Sequence, residues 1–260
     1  MKIALGFWGI TRSLRHTLPS IHAKIFNVLK RAGIEYVVFL HTYRITSSYS
    51  NRRTGESGVR LDNEEYKLLQ ADVVMVEDQD AVKGALALPS YRTHPDPWNT
   101  EYNSIDNFVC AMYSKLKLTE LIERRDFEFD AVVFLRPDVE YVTEFDPTWL
   151  SLADDKTLCV PNFHLVHGMN DRFAITTRKT YILYGTIFHQ LLPYSKRGPL
   201  HSETVYAQCM RSYGIAVRLL PFYFDRIRAD GSRCVLDEDR RPVDSAVGPC
   251  PPNRGSSQIG

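Results

Sequence analysis

The sequence predicts an α/β fold, a mixed but mostly parallel sheet flanked by helices, and two observations predict it. The chain opens with a strand, helix, strand unit: Ile3 to Trp8, Leu18 to Arg31 and Tyr36 to Leu40. A crossover of that length joins parallel strands in a sheet covered on both faces. Further on, Ile105 to Arg125 carries the longest helical period and feeds directly into the apolar run AVVFL at 131 to 135, a pattern expected of a buried strand.

The individual elements follow from local signals. In the first helix Leu18, Ile21, Ile25, Val28 and Leu29 recur on one face, and Gly33 is placed to stop it. Residues 44 to 60 are polar, basic and rich in Gly and Ser, and read as a long mobile loop. A short helix is expected from Asp62 to Leu69, then a third strand over Asp72 to Val76. Thr157 to Pro161 and Ala216 to Leu219 read as strands, and Tyr181 to Leu191 and Glu203 to Tyr213 as helices. Residues 1–235 form one expected domain, because from about 236 to 260 the composition shifts to Asp, Arg, Pro, Gly and Ser, as in a weakly packed or disordered tail.

Composition narrows the partners. At 260 residues the chain can bury a substantial core. With 32 Lys+Arg against 31 Asp+Glu, a net charge of +1 gives no bulk attraction to nucleic acid or an anionic membrane. The N-terminal apolar run is too short for a signal-peptide core, and no segment approaches the ~18 apolar residues of a membrane span. Five scattered cysteines without a CxxC pair argue against a disulfide framework or a thiolate zinc site. A soluble protein of a reducing, cytoplasmic compartment is the expectation.

Three clusters carry possible chemistry. The run AVVFLRPDVEY ends an apolar strand in Arg136, Asp138 and Glu140, at the carboxyl edge where open α/β sheets bind ligands. If the chain stays extended, Asp138 and Glu140 share one side and offer hard oxygen ligands to Mg²⁺ or Mn²⁺; a solvated strand end is the bland alternative. The second cluster is HGMNDRFAI at 167 to 175, whose Asn and Asp also suit a plain turn, and whose His167 alone is more often structural. The third is His201-Ser-Glu203, where Ser202 suits a helix N-cap and Glu203 the helix dipole. The turn Gly9-Ile-Thr-Arg-Ser after the first strand places Arg12 where an anion such as phosphate could sit. Neither a P-loop nor a Gly-x-Ser-x-Gly elbow is present.

The opening strand, helix, strand unit, the long helix feeding a strand that ends in R-P-D, the later H-G-M-N-D-R-F-A-I and the helix opening at H-S-E together resemble nucleotide-sugar glycosyltransferases of the GT-A fold, a Rossmann-like architecture. More narrowly they resemble small soluble glycosyltransferase-like proteins of large DNA viruses and bacteria. The resemblance spans about residues 1 to 230 and implies transfer of a sugar from a nucleotide-diphosphate donor to a hydroxyl acceptor on a glycan. It implies a Mn²⁺ or Mg²⁺ ion at Asp138 and Glu140, and puts Arg136 where the family usually has the first acid of Asp-x-Asp. It further implies donor contacts from Gly6, Trp8, Arg12, His41, Thr42, Arg44, Lys115, Arg136 and Asp138, and a diphosphate reached by Arg226 and Arg228. Asp171 and Glu203 compete for the role of acceptor base. The alternatives are a domain of this fold that binds a nucleotide sugar or glycan without turnover, and a different metal-dependent nucleotidyl enzyme.

Overall fold

The computed structural model describes residues 1–96, 98–125, 128–165 and 168–234, and the backbone of 248–249. In chain order the strands are β1 (Lys2–Trp8), β2 (Glu35–Arg44), β3 (Tyr49–Asn51), β4 (Glu56–Val59), β5 (Val73–Asp78), β6 (Ala131–Leu135), β7 (Val139–Tyr141), β8 (Thr157–Pro161), β9 (Ala174–Thr176), β10 (Ala216–Leu220), β11 (Phe224–Ile227), β12 (Arg233–Cys234) and β13 (Gly248–Pro249). The helices are α1 (Leu14–Ile21), which passes through a π-helical turn (His22–Phe26) into α2 (Asn27–Arg31), then α3 (Gln79–Ala85), α4 (Asn103–Glu123), α5 (Thr180–Gly185), α6 (Phe188–Ser195) and α7 (Ser202–Ser212). The tail expected from 236 lies outside the described residues except for β13.

The main sheet runs β13-β10-β8-β9-β6-β1-β2-β5. Strands β6, β1, β2 and β5 are mutually parallel, β8 and β10 are parallel, and β9 runs antiparallel between β6 and β8. The architecture is therefore α/β with a mixed, mostly parallel sheet, as the strand, helix, strand pattern predicts. The two-residue period of the strands divides the core. Ala4, Trp8, Phe39, Val132 and Phe134 join one apolar cluster with residues of α4 and α7. Ile3, Leu5, Phe7, Leu40, Val133 and Leu135 join the other with Leu14, Ile21, Ile25 and Leu29 from the α1 to α2 rod. Each fully buried side chain of this kind contributes about 1.5–3 kcal/mol.

Two local expectations are corrected. Residues 44 to 60 are not a structureless loop: β3 and β4 form a hairpin around a 3₁₀ turn at Arg52–Thr54, closed by Gly55 at φ 72°. The hairpin holds because Tyr49 is buried among Tyr43, Ile45 and Val82, a cluster too dispersed in sequence to show a period. Tyr181 to Leu191 is two helices, α5 and α6, separated at Thr186. Trp149 lies in a 3₁₀ helix (Pro147–Leu152) started by Asp146, whose side chain accepts from the Thr148 amide. A separate three-stranded sheet, β12-β11-β7, continues from the tip of β6. Among the described residues no helix is long and apolar enough to cross a membrane.

Candidate active site

The carboxyl ends of β1 and β6 open on a cleft, the position at which open α/β sheets hold ligands. Its lining contains six arginines, Arg12, Arg53, Arg136, Arg172, Arg226 and Arg228, against the carboxylates of Asp138 and Asp171. A near-neutral chain has thus concentrated positive charge in one concavity, where low-dielectric walls strengthen its field.

The R-P-D turn sits at the cleft floor. Pro137 and Asp138 turn the chain between β6 and β7. The Pro137 carbonyl accepts from Thr17 Oγ1 at 2.6 Å, the Arg136 carbonyl accepts from the Tyr141 hydroxyl at 3.2 Å, and the Asp138 carbonyl accepts from the Ile227 amide at 3.0 Å. Held this way, Asp138 receives a bidentate pair from Arg136, Nε to Oδ1 at 2.8 Å and Nη2 to Oδ2 at 2.7 Å, while Arg12 Nη2 lies 3.3 Å from Oδ2. Burial alone would raise the Asp138 carboxyl, but Arg136 and then Arg12 hold it well below the ordinary carboxylate range. Arg136 also lies over the Trp8 ring, 4.5 Å from its centroid. Gly9, at φ 97°, gives it room: a Cβ there would stand 3.1 Å from Arg136 Nη1.

Arg12 reaches across the cleft to the hairpin. It donates to the Tyr49 hydroxyl and lies 3.6 Å from Glu56, which is also 3.6 Å from Arg228. Three guanidiniums, Arg12, Arg136 and Arg228, therefore share Asp138 and Glu56. Two buried nitrogens of this group, Arg12 Nε and Arg228 Nη2, have no hydrogen-bond acceptor among the described residues.

The second and third motifs meet at one place. Gly168, at φ 154°, packs so closely on α7 that a Cβ would fall 2.2 Å from the Glu203 carbonyl, and the Met169 amide donates to that carbonyl at 3.3 Å. Arg172 bridges the side chains, 3.3 Å from Asp171 and 3.8 Å from Glu203. Burial pushes the Glu203 carboxyl up to about 7; Arg172 opposes this, and the charge on Asp171 adds to it. Asp171 goes the other way, since burial is outweighed by Arg172 and Lys115 and its carboxyl lies below the ordinary value. Asp171 lines the cleft, and its Oδ1, ion-paired with Arg172 Nη1 at 3.3 Å, receives no hydrogen bond among the described residues, whereas Glu203 stands behind Arg172.

Lys115 is fully buried beneath these groups. Its ammonium donates to the Asp171 carbonyl at 2.8 Å and the Tyr184 hydroxyl at 3.2 Å, and lies 4.1–4.3 Å from the ring centroids of Trp8, Tyr184 and Tyr206. Burial pulls its pKa well below the lysine value, with Asp171 opposing. It supports Asp171 and Trp8 rather than reaching a phosphate.

The structure brings Trp8, Arg12, Arg136, Asp138 and Asp171 to one cleft, with Lys115 and Glu203 packed behind them. The other expected donor contacts lie elsewhere. Gly6 is covered by Leu118 and Ile122 of α4. His41 is sealed between Ser114 and Glu77, 2.7 Å from each, and burial lowers its pKa against the pull of Glu77. Thr42 is fully buried, and Arg44 is exposed beside Glu64 at 3.7 Å. His167 lies outside the described residues.

Glu140 does not join Asp138. The turn at Pro137 and Asp138 interrupts the alternation that would align them, and the Glu140 carboxylate is 2.6 Å from Arg233 on β12. The residues present do not fit a divalent ion at this place. Both Asp138 oxygens are occupied by Arg136, Arg12 stands beside one of them, and among the described residues no three His, Cys, Asp or Glu side chains group to hold a metal. At an effective dielectric of ~20, two like unit charges about 4 Å apart repel by about 4 kcal/mol, and a dication doubles that for each guanidinium.

Tyr49, Glu56, Arg53 and Arg172 also belong to this region, without a motif of their own in the sequence that points to them. The basic NRRT run at 51 to 54 was the available signal for Arg53, which lies over the Trp98 ring, 4.8 Å from its centroid. Arg172 sits inside a motif read for its acid.

No protein-family model matches the sequence, and comparison with curated proteins finds no match. Among solved structures the chain is similar to the galactosyltransferase LgtC in complex with donor and acceptor sugar analogs, at 15% identity and a TM-score of 0.42, covering 84% of this chain and 73% of that one. It is also similar to an active-site mutant of LgtC, at 15% identity and a TM-score of 0.41, covering 81% and 70% respectively.

Proposed function

We propose that this chain is a GT-A-type glycosyltransferase whose arginine-lined cleft takes the diphosphate of a nucleotide sugar and whose Asp171 faces a hydroxyl acceptor, on a glycan. The observation that carries the reading is one cleft in which a surplus of guanidiniums surrounds Asp171, with Glu203 packed behind Arg172 3.8 Å away. Guanidiniums stabilise charge gathering on a departing diphosphate, and a cleft-facing carboxylate can hold and deprotonate a hydroxyl. In the transfer, the acceptor oxygen bonds to the anomeric carbon, the bond from that carbon to the diphosphate breaks with its electron pair on the phosphate oxygen, and the acceptor proton passes to Asp171. Glu203, near its pKa at neutral pH, adjusts the charge that Arg172 presents to Asp171.

A thermal-shift screen of UDP-, GDP-, CDP- and ADP-sugars, with nucleoside triphosphates and free sugars alongside, tests the reading, because a ligand that binds the native state raises its stability. One class of nucleotide sugar should shift the midpoint more than its triphosphate or its sugar. A shift with triphosphates alone would favour a nucleotidyl enzyme.

A further inference from the structure

We infer that, in a cleft that takes a nucleotide-sugar diphosphate as proposed above, the guanidiniums of Arg12, Arg136 and Arg228 do the work of a divalent metal ion, and Asp138 is their counter-ion rather than a metal ligand. A metal-binding carboxylate must direct a lone pair at the ion. Asp138 instead spends both oxygens on the fork of Arg136, with Arg12 at 3.3 Å from the same Oδ2. A dication entering there would have to displace a buried bidentate pair and then sit against two fixed cations.

The same arrangement suits an anion. Three guanidiniums face two carboxylates, Asp138 and Glu56, so one positive charge is left over. Arg12 and Arg228 are 8% and 6% exposed, both line the cleft, and each keeps a buried N–H without an acceptor among the described residues, Nε on Arg12 and Nη2 on Arg228. Leaving such donors unmet is costly, and a phosphate oxygen supplies what they lack. The cluster is also fixed in place before any ligand arrives. Asp138 orients Arg136, Tyr49 and Glu56 orient Arg12, and the Arg228 amide donates to the Ser232 carbonyl at 2.8 Å. Preorganised donors aimed at a leaving oxygen supply the stabilisation that a metal would otherwise give.

The test is calorimetric titration of the full chain with UDP, GDP, CDP and ADP, in excess EDTA and again with Mn²⁺, accompanied by electron paramagnetic resonance of the Mn²⁺. The expected result is one diphosphate that binds in EDTA with an affinity that Mn²⁺ changes by no more than about threefold, with no protein-bound Mn²⁺ signal. Arg228→Gln, checked for its fold by circular dichroism, should weaken that binding about tenfold or more, the cost of a charge-assisted hydrogen bond. Binding that appears only with Mn²⁺ would overturn the inference and leave the donor site standing. Unchanged affinity in a folded Arg228→Gln would also overturn it. Absence of diphosphate binding under both conditions would remove the inference and the proposed function together. The wild-type comparison needs no substitution, so a variant that fails to fold does not protect the claim.

Discussion

Asp138 and Glu203 are both buried carboxylates in the same small region, yet the protein treats them oppositely. Asp138 meets two guanidiniums and keeps its charge far into acid; Glu203 shares a single arginine with Asp171 and holds its proton up to about 7. Desolvation is the largest influence on both groups and pushes both upward. What separates them is the distance of the neighbouring cations, 2.7–3.3 Å at Asp138 against 3.8 Å at Glu203, and the charge of Asp171, which raises Glu203 further. One site is built to hold charge fixed and the other to let it change.

The comparison breaks most severely at its fixed end. Asp138→Ala leaves Arg136 and Arg12 buried without their main counter-ion, and should cost about 3–5 kcal/mol in denaturant unfolding, the usual loss when one partner of a buried pair is removed. A loss below about 1 kcal/mol would mean that solvent, not Asp138, compensates those arginines. Lowering pH should act in the same direction: the depressed pKa of Asp138 gives stability that is present above the ordinary carboxylate range and lost as acid protonates the group.

Glu203 should show the opposite sign. Its folded pKa is raised, so its contribution is full below the ordinary glutamate range and declines as pH rises to about 7. Relative to Glu203→Gln, which carries no titrating proton, wild type should lose roughly 3 kcal/mol between about pH 4.5 and about pH 7 and then stay level. A flat difference across that window would remove the assignment. In activity, Asp171→Asn should lower kcat by orders of magnitude, whereas Glu203→Gln should mainly flatten the pH profile of kcat.

Smaller effects sharpen the contrast. Gly168→Ala should cost about 1–3 kcal/mol, because the backbone at φ 154° and the Glu203 carbonyl both reject a Cβ. Its thermal midpoint should fall while Asp138→Ala effects remain additive, since among the described residues the two positions share no hydrogen-bond or ion-pair partner. Glu140→Gln should change stability by less than about 1 kcal/mol, as expected for a partly exposed pair with Arg233.

Much of this was legible in the sequence for physical reasons. The fold was legible because local periodicity records burial: AVVFL is fully buried as β6, and Thr157–Pro161 has the bounds its composition suggests. Arg136 and Asp138 stood out because ionisable groups at the end of an apolar run need a reason to be there, whereas Asp171 and Glu203 drew attention only through the resemblance of their motifs to GT-A glycosyltransferases. Their partners were not, since a salt bridge leaves no trace in spacing: Arg12 and Asp138 meet only after β1 and β6 pair in register. The Asp138 and Glu140 alternation failed because it assumes an extended chain, and Pro137 turns it. His41 and Thr42 sit beyond reach because the end of β2 is closed over by Ser114, Tyr43 and Glu77, which no single strand reveals.

The most direct test of the central claim is turnover. The full chain is incubated with the nucleotide sugar that stabilises it and a panel of simple sugar acceptors, and products are followed by mass spectrometry. The expected result is release of a nucleoside diphosphate together with an acceptor heavier by one sugar residue, abolished in Asp171→Asn. Release of pyrophosphate from a nucleoside triphosphate, with no sugar transferred from any donor, would contradict it.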